Sequence, residues 1–340
     1  MTEATSYRAL AMQARTVSVN ACRDRSEARD VMRASIERLR TQITASVRFI
    51  GPDCRLVVLP EYALTGHPVG EPLAVWRDRA AIDADGEELK ELGAIARDVN
   101  VFLSINAYET DDAFPQLYFQ SSLILDPSGS VILRYRRLNS LMTPTPHDVW
   151  DAYVERYGLD GVFPVAKTEI GRLACIASEE ILFPELARCL AVRGAEVFLH
   201  SSSEVGSPRQ TRKDVAKRAR AIENVAWVVS ANSGGIDGSP IPGASTDGGS
   251  QIINHDGHVL VEASNGESMS AFAEIDLAAS RRARQRPGMD NLLSRNRFEL
   301  YAETYARTTI HAANGFADGS VPDREAFLRA QRDAIGRLPR

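Results

Sequence analysis

Apolar residues recur along the chain at two spacings, one typical of helices and one typical of strands. From Ser26 to Val47, apolar side chains return every three or four positions with arginines between them, which predicts an amphipathic helix capped by Ser26. Short apolar runs predict buried strands over 55–62, 101–108, 171–178, 196–201 and 227–232.

Helical patterns separate these strands, and their order predicts the fold class. Further helices are predicted over 85–99, 184–195 and 214–226, and hairpins over 121–135 and 250–263. Strands that alternate with helices, with antiparallel hairpins among them, indicate a layered α/β fold with a mixed sheet. A polar stretch over 139–160 shows no clear element. The chain turns basic and then helical from about Ser280, so we expect one domain with a C-terminal extension.

Composition and charge argue against several kinds of partner. The net charge of the 340 residues is -5, which favours neither nucleic acid nor an anionic membrane surface. No apolar run approaches the roughly 20 residues that a membrane helix needs, and the N-terminal residues show no apolar signal region. We therefore expect a cytoplasmic protein whose four cysteines are reduced thiols. Their spacing matches no zinc pattern, so we expect no metal or cofactor.

Three segments contain the residues best suited to catalysis. LVVLPEYALTG places Glu61 after a predicted strand, SVILRYRRLN ends a strand near Arg137, and GRLACIASEEILFPELARCLAVRGAEV places Ser178 five residues before Phe-Pro-Glu. In this order, the segments resemble the three signature regions of the nitrilase superfamily of carbon–nitrogen hydrolases. The resemblance covers roughly residues 8–275, and the order and spacing of the motifs make it specific.

The resemblance implies a role for each of these residues. Hydrolysis of an amide or a nitrile needs a nucleophile, a group that carries its proton, and a fixed positive charge for the developing oxyanion. Glu61 matches the family's general base, Arg137 occupies the position of its lysine, and Ser178 that of its cysteine. Glu155, in YVERY before FPV, resembles the family's second glutamate. The further candidates for substrate binding are Tyr62, Glu179 and Ser202.

Two of these positions depart from the family pattern. A serine hydroxyl is much harder to ionise than a thiol, and a carboxylate is a poor base for it, so we expect a slowed or disabled enzyme. The serine is either a substitution made to trap a ligand or the natural residue. Cys175 does not replace it, because residues three apart on a strand face opposite sides. Arg137 keeps the positive charge but cannot release a proton near neutral pH.

Each candidate also has a simpler interpretation. Glu61 could be a turn carboxylate, YVERY a solvated helical turn, and Ser201–Glu204 a surface turn, while RKDVAKRAR at 212–220 is typical of a solvated helix face.

The family resemblance implies a four-layer α-β-β-α sandwich over residues 1–280, with residues 281–340 as an extension that packs on the domain or on a neighbouring subunit. A homo-oligomer is implied in the same way. The expected substrate is a small linear amide or carbamoyl compound, or a nitrile. Relatives that act on N-carbamoyl amino acids carry two arginines where Ile181 and Leu182 stand here, which argues against a substrate carboxylate on that side. A non-catalytic binding protein of the same fold, and acyl transfer to an amine, are the alternatives.

Overall fold

Two six-stranded sheets form the centre of the molecule. The computed structural model describes residues 4–205, 210–317 and 322–338. Its strands are β1 (Ser6–Ala11), β2 (Thr16–Val17), β3 (Cys54–Val58), β4 (Phe102–Thr110), β5 (Tyr118–Leu125), β6 (Val131–Arg136), β7 (Ala166–Thr168), β8 (Gly171–Ala177), β9 (Val197–Ser201), β10 (Trp227–Ala231), β11 (Ile236–Asp237), β12 (Gln251–Ile253), β13 (Val259–Glu262) and β14 (Phe272–Asp276).

The helices lie on the outer faces of the sheets and along the C-terminal segment. They are α1 (Arg25–Ile50), α2 (Leu73–Ala80), α3 (Glu87–Val99), α4 (Trp150–Val162), α5 (Pro184–Val192), α6 (Arg212–Asn224), α7 (Leu277–Gln285), α8 (Leu292–Arg295), α9 (Glu299–Ala306) and α10 (Arg324–Arg337). A short 3-10 turn, Ser178–Leu182, joins β8 to α5.

The two sheets are mixed, and their strands pair in the same series of antiparallel and parallel neighbours when the second sheet is followed from β7 to β13. One runs β14-β1-β3-β4-β5-β6 and the other β13-β12-β10-β9-β8-β7. In the first, β1, β3 and β4 are parallel, and in the second, β10, β9 and β8 are parallel, with antiparallel strands at both sides. The predicted mixed α/β architecture is therefore confirmed. In α/β sheets, ligands bind beyond the carboxyl ends of parallel strands, which directs attention to the residues after β3, β8 and β9.

Apolar side chains between the layers hold the sandwich together. The inner faces of both sheets share one cluster, in which Leu56 and Ile124 lie with Leu199 and Val229. A second cluster packs β3 and β4 of the first sheet against α1, α2 and α3. Strands that are buried on both faces read as continuous apolar runs, which explains why they were visible in the sequence.

One sequence-based boundary was wrong, and one polar stretch contains a helix. Helix α1 begins at Arg25, and its cap is Asp24, whose side chain accepts a hydrogen bond from the backbone N of Glu27 at 3.0 Å. Ser26 is therefore inside the helix. The polar stretch 139–160 is not without structure, because α4 begins within it and buries Tyr153 and Val162.

The segment after residue 280 contacts the rest of this chain. Arg281 forms an ion pair with Glu196 at 2.6 Å, and the Tyr305 hydroxyl donates to Glu185 at 2.7 Å. Within the described ranges, no helix is both long and apolar enough to cross a membrane.

Candidate active site

Glu61 lies three residues beyond the end of β3, and its carboxylate is buried and fully engaged. Gln120 Nε2 donates to Glu61 Oε1 at 2.7 Å, and the backbone N of Ser203 donates to Oε2 at 3.0 Å. The backbone N of Glu61 in turn donates to the carbonyl of Ser202 at 3.2 Å. These bonds link the carboxyl end of β3 to that of β9, so Glu61 joins the two sheets. It is not a surface turn residue.

Arg137 follows β6 and directs its guanidinium toward Glu61. Its Nη1 lies 3.6 Å from Glu61 Oε1 and donates to Gln120 Oε1 at 2.8 Å. Its Nε donates to the carbonyl of Asn139 at 2.8 Å, and its Nη2 pairs with the carboxylate of Glu179. Burial opposes the charge of Arg137, but Tyr62 and the surrounding carboxylates raise its pKa above the ordinary range. Arg137 is therefore a permanent cation held in a fixed orientation.

Ser178 sits at a sharp turn from strand to helix. It follows β8 directly, and its φ of 51° lies in the left-handed region that residues with a Cβ rarely adopt. Such a conformation costs free energy and is typical of functional positions that the surrounding structure holds in place. The turn continues through Ser178–Leu182 into α5. The hydroxyl of Ser178 is thereby presented beyond the carboxyl end of the strand.

Lys213, which the sequence analysis did not select, lies against this hydroxyl. It is the second residue of α6, and its Nζ donates to Ser178 Oγ at 3.3 Å and to Ser202 Oγ at 3.2 Å. The segment 212–220 was interpreted as a solvated helix face, and this was wrong for Lys213, Lys217 and Arg220, which are all buried. Amphipathic spacing shows which residues share a face of a helix. It does not show whether a charged face packs inward.

The contacts around Ser178 close into a ring. Glu179, next to Ser178, pairs with Arg137, and Arg137 lies beside Glu61. Glu61 is bonded to the Ser202–Ser203 backbone, and Ser202 and Ser178 share the amine of Lys213. A carboxylate, two cations and a hydroxyl are thus brought together, and Glu61, Arg137, Ser178 and Lys213 are each at most 9% exposed.

A histidine and a cysteine near Ser178 do not contact its hydroxyl. His200 Nε2 lies 2.8 Å from the carbonyl of Ser178, and Nδ1 lies 2.8 Å from Ser230 Oγ. Burial, with Lys217 and Lys213 nearby, lowers the pKa of His200 well below its usual value, so the ring is neutral. Cys175 lies in the core between the sheets, where burial raises the pKa of its thiol to about 12.

The three predicted substrate-binding residues have different surroundings. The Tyr62 hydroxyl donates to Gln120 Oε1 at 3.1 Å, and its ring stacks on Tyr108 with centroids 5.1 Å apart. The hydroxyl of Ser202 is buried on Lys213, so Ser201–Glu204 does not begin as a surface turn. The side chain of Glu179 is partly exposed and pairs with Arg137.

Glu180 has a structural position beside the turn that begins at Ser178. Its carboxylate is fully buried and accepts from the Tyr135 hydroxyl at 2.6 Å and from the backbone N of Leu138 and Asn139 at 2.9 and 2.8 Å. It therefore ties the turn after β8 to the segment that carries Arg137.

The structure does not bring Glu155 to the other predicted residues. Glu155 lies on the exposed side of α4, two positions after the buried Tyr153 and so on the opposite side of the helix. In the described part of the chain, no hydrogen bond or ion pair joins it to Glu61, Arg137 or Ser178. The carboxylate that orients the cation is that of Glu179 instead.

A small polar cavity of about 90 Å³ adjoins the start of α6. Its charged lining residues are Glu204, Asp214, Asp247 and Glu262, together with Lys217, and the other residues of the lining are uncharged.

Two packed mixed sheets that bring a carboxylate, a fixed cation and a hydroxyl to their strand ends define a hydrolase-type site. Residues 17–285 match the family model described as carbon-nitrogen hydrolase, and the chain belongs to this family.

Similar proteins include enzymes with several named activities. The chain is 28% identical over 252 residues to the nitrilase and fragile histidine triad fusion protein NitFhit of Caenorhabditis elegans, with 73% of this chain and 54% of that protein covered. It thus spans about half the length of that relative. It is 27% identical over 263 residues to a formamidase of Bacillus cereus, with 76% of this chain and 71% of that protein covered.

Solved structures share the fold at lower sequence identity. A carbon-nitrogen hydrolase from Helicobacter pylori has a TM-score of 0.66 at 20% identity, with 89% of this chain and all of that chain covered. An amidase from Nesterenkonia that has an active-site cysteine gives a TM-score of 0.58 at 19% identity, covering 88% of this chain and 99% of that chain.

Proposed function

We propose that this chain hydrolyses a non-peptide C–N bond in a small linear amide or carbamoyl compound, through attack by Ser178. The observation that carries the proposal is the closed ring of contacts around the Ser178 hydroxyl. It joins a buried carboxylate, a permanently charged arginine and a strained turn at the carboxyl ends of β3, β8 and β9. These are the groups that acyl transfer to a nucleophile requires.

Each group has a distinct chemical task in this proposal. Ser178 Oγ attacks the carbonyl carbon, and the developing negative charge on the oxygen is stabilised by Arg137, whose orientation is fixed by Gln120, Asn139 and Glu179. Glu61 holds this cation in place, and a base within reach of the Ser178 hydroxyl takes its proton and passes it to the leaving nitrogen. No step requires a metal or an organic cofactor.

The residues around the site favour some substrates over others. Ile181 is buried and Leu182 is partly exposed at the positions where a substrate carboxylate would need cations, so an acidic substrate is disfavoured. Glu179 and Glu180 are already engaged by Arg137 and by the turn, so neither is available for a substrate amine.

A binding protein without catalysis is the competing proposal, and one observation favours it. Both carboxylate oxygens of Glu61 are engaged, and no hydrogen bond in the described ranges joins Glu61 to the Ser178 hydroxyl. With Glu61 as the sole base, the serine form would be slow or inactive while still binding its ligand.

The deciding experiment compares the chain with Ser178→Ala and Ser178→Cys. All three are assayed for ammonia release from amides, carbamoyl amines and nitriles. We expect Ser178→Ala to lose all activity and Ser178→Cys to turn over the same substrates as the parent chain, because the thiol ionises more readily.

The outcomes separate the two proposals. Turnover by the parent chain supports the hydrolase, and the best substrate defines its class. Turnover by Ser178→Cys alone shows a hydrolase-type site that the serine leaves inactive. If all three fold normally and none releases ammonia, while calorimetry shows an amide binding to the parent chain, the binding protein is correct.

A further inference from the structure

We propose that Lys213 is the base that activates Ser178, so that the serine in the cysteine position is a working nucleophile. The proposal rests on the function proposed above and adds a catalytic residue from α6.

The position of Lys213 allows it to take the proton of the Ser178 hydroxyl. Among the described residues, the amine of Lys213 is the one side-chain group within hydrogen-bond distance of Ser178 Oγ, at 3.3 Å. Glu61 is engaged by Gln120 and by the Ser203 backbone, and His200 lies on the carbonyl of Ser178, not on its hydroxyl. A base must lie within reach of the proton that it removes, and Lys213 meets this requirement.

Ser202 holds the amine in place from the other side. Its hydroxyl lies 3.2 Å from Lys213 Nζ and is completely buried. The amine therefore lies between two serine hydroxyls, one on the nucleophile turn after β8 and one at the end of β9. A proton can move between the Ser178 hydroxyl and the amine without any change in backbone position.

The surroundings of Lys213 favour its neutral, basic form. Burial lowers its pKa, and the nearby charges of Lys217 and Arg137 act in the same direction, while Glu61 and Glu204 oppose them. Lys213 is also the second residue of α6, where the positive end of the helix dipole disfavours a further positive charge. An amine in such surroundings can accept a proton at a pH where an exposed lysine is fully charged.

The composition of the chain shows that lysine is unusual here. Of the 40 basic residues, only four are lysine, at positions 90, 167, 213 and 217. The chain otherwise uses arginine for positive charge, even at the family's lysine position, Arg137. Arginine cannot deprotonate near neutral pH. A lysine retained at the nucleophile therefore fits a role in which a proton is accepted and released.

The proposed reaction is balanced with water as the second reactant. The Ser178 proton passes to the Lys213 amine as Oγ bonds to the carbonyl carbon, and Arg137 stabilises the oxyanion. The ammonium of Lys213 gives this proton to the leaving nitrogen, the C–N bond breaks, and an ester on Ser178 remains. Water then attacks the ester and loses its proton to Lys213. That proton returns to Ser178 as the carboxylic acid departs.

The test uses a fluorophosphonate ester, which bonds to an activated serine through phosphorus and releases fluoride. Intact mass spectrometry follows labelling of the parent chain, Ser178→Ala, Lys213→Met, Lys213→Arg and the surface control Lys90→Met. We expect labelling of the parent chain and of Lys90→Met at equal rates, and none of Ser178→Ala. Both Lys213 variants should react more slowly than the parent chain, by a factor of at least about 100.

Lys213→Arg distinguishes a base from a fixed cation. It keeps the positive charge and its hydrogen-bond donors, so a structural or purely electrostatic role predicts normal labelling, which would overturn the proposal. The same two substitutions are also made in Ser178→Cys, whose thiol loses its proton more readily than a hydroxyl and depends less on a nearby base. There we expect ammonia release to fall less than tenfold, which shows that the fold and Arg137 are intact.

A spectroscopic measurement gives a second readout. Lysine labelled with ¹³C at the ε carbon yields four resonances in this chain, and Lys213→Met assigns one of them. We expect the Lys213 signal to titrate well below those of Lys90 and Lys167, and the labelling rate to rise with pH through the same midpoint. An ordinary lysine midpoint at Lys213 contradicts the proposal.

Failure of this proposal can be told apart from failure of the hydrolase function. If Ser178→Cys releases ammonia but the parent chain neither does so nor reacts with the probe, the site is built for C–N hydrolysis, but Lys213 does not activate Ser178. If no form of the protein has activity and the probe does not react, both proposals fall.

Discussion

Arg137 and Lys213 are both buried cations beside Ser178, yet their surroundings act on them in opposite directions. Carboxylates around Arg137 raise its pKa, whereas burial, Lys217 and Arg137 itself lower that of Lys213. One charge is therefore permanent and suited to stabilising an oxyanion. The other can be switched, which suits the transfer of a proton.

The first prediction concerns Arg137→Lys, which restores the residue type of the family pattern. A lysine lacks the planar fork that donates to Gln120, Asn139 and Glu179, so the cation loses its fixed orientation. We expect kcat/KM to fall about 10-fold to 100-fold, and Arg137→Ala to lose about 100-fold to 1,000-fold. Steady-state kinetics on the best substrate of the panel measures this. An increase with Arg137→Lys would show that this site prefers an ammonium.

A second prediction concerns the buried carboxylate of Glu180. Glu180→Ala leaves the Tyr135 hydroxyl and two backbone N–H groups without their acceptor, so we expect the free energy of unfolding to fall by about 3 kcal/mol. Urea denaturation measures the loss. Glu155→Ala is the matched control, because Glu155 is exposed on α4 and its loss should cost about 0.5 kcal/mol or less. Equal effects would refute the structural role.

Sequence patterns found the residues that follow strands and missed those that depend on packing. Glu61, Arg137 and Ser178 stand in motifs, and the structure brings them together. Glu155 was misplaced because YVERY resembles a family segment, whereas the turns of α4 direct this side chain outward. Lys213 had no motif of its own. Its position depends on which face of α6 packs on β10 and on the turn Ser178–Leu182.

At the scale of elements, α6 determines where the amine of Lys213 lies. Its first turn is fixed by a capping box in which Thr211 accepts from the backbone N of Asp214 at 3.2 Å and Asp214 accepts from that of Thr211 at 3.0 Å. Because Lys213 lies within this turn, the cap also positions the amine between Ser178 and Ser202.

The third prediction is that Thr211→Ala weakens both the helix and the site. The loss of one cap bond should lower the free energy of unfolding by about 1 kcal/mol. It should also slow fluorophosphonate labelling of Ser178, because the start of α6 loosens. Thermal unfolding and labelling kinetics give the two readouts. Thr41→Ala, on the exposed side of α1, is the control and should change neither. Unchanged labelling in Thr211→Ala would show that packing alone positions Lys213.

Most strands and helices were predictable because their apolar patterns repeat. The segment that became α4 was not, since only Tyr153 and Val162 are buried in it and the pattern is too sparse to recognise. The start of α1 was misplaced by two residues because Asp24 and Ser26 are both good caps, and only the backbone geometry at Asp24 decides between them.

At the scale of the whole molecule, the α-β-β-α sandwich leaves apolar side chains on its outside. Val192 of α5 and Leu300, Tyr301 and Tyr305 of α9 are each more than half exposed, and the Tyr305–Glu185 hydrogen bond places the two helices side by side. Exposed apolar side chains on neighbouring helices are a feature of association sites. It supports the homo-oligomer that the family resemblance implies.

The fourth prediction tests this assembly. We expect the parent chain to sediment as a dimer or a larger assembly, and Leu300→Glu to shift it toward the monomer by placing a charge in the contact. Ile335→Glu is the matched control, because Ile335 of α10 is equally apolar and exposed but lies outside this patch. Sedimentation of the parent chain as a monomer at micromolar concentration would rule out the assembly.

The layered architecture could be predicted from the order of the elements. The similar strand pairing within the two sheets could not be predicted. Their matching strand orders depend on pairings between distant strands, such as β1 with β14 and β10 with β12. Periodicity within a strand carries no information on its partner, so these pairings were visible only in the structure.

The scarcity of lysine has a practical consequence for handling the protein. Lys90 and Lys167 are exposed, while Lys213 and Lys217 are buried. Coupling to an amine-reactive support will therefore attach the molecule through two side chains at defined places, besides its α-amino group. The immobilised enzyme should keep its site chemically untouched and present it in a small number of orientations.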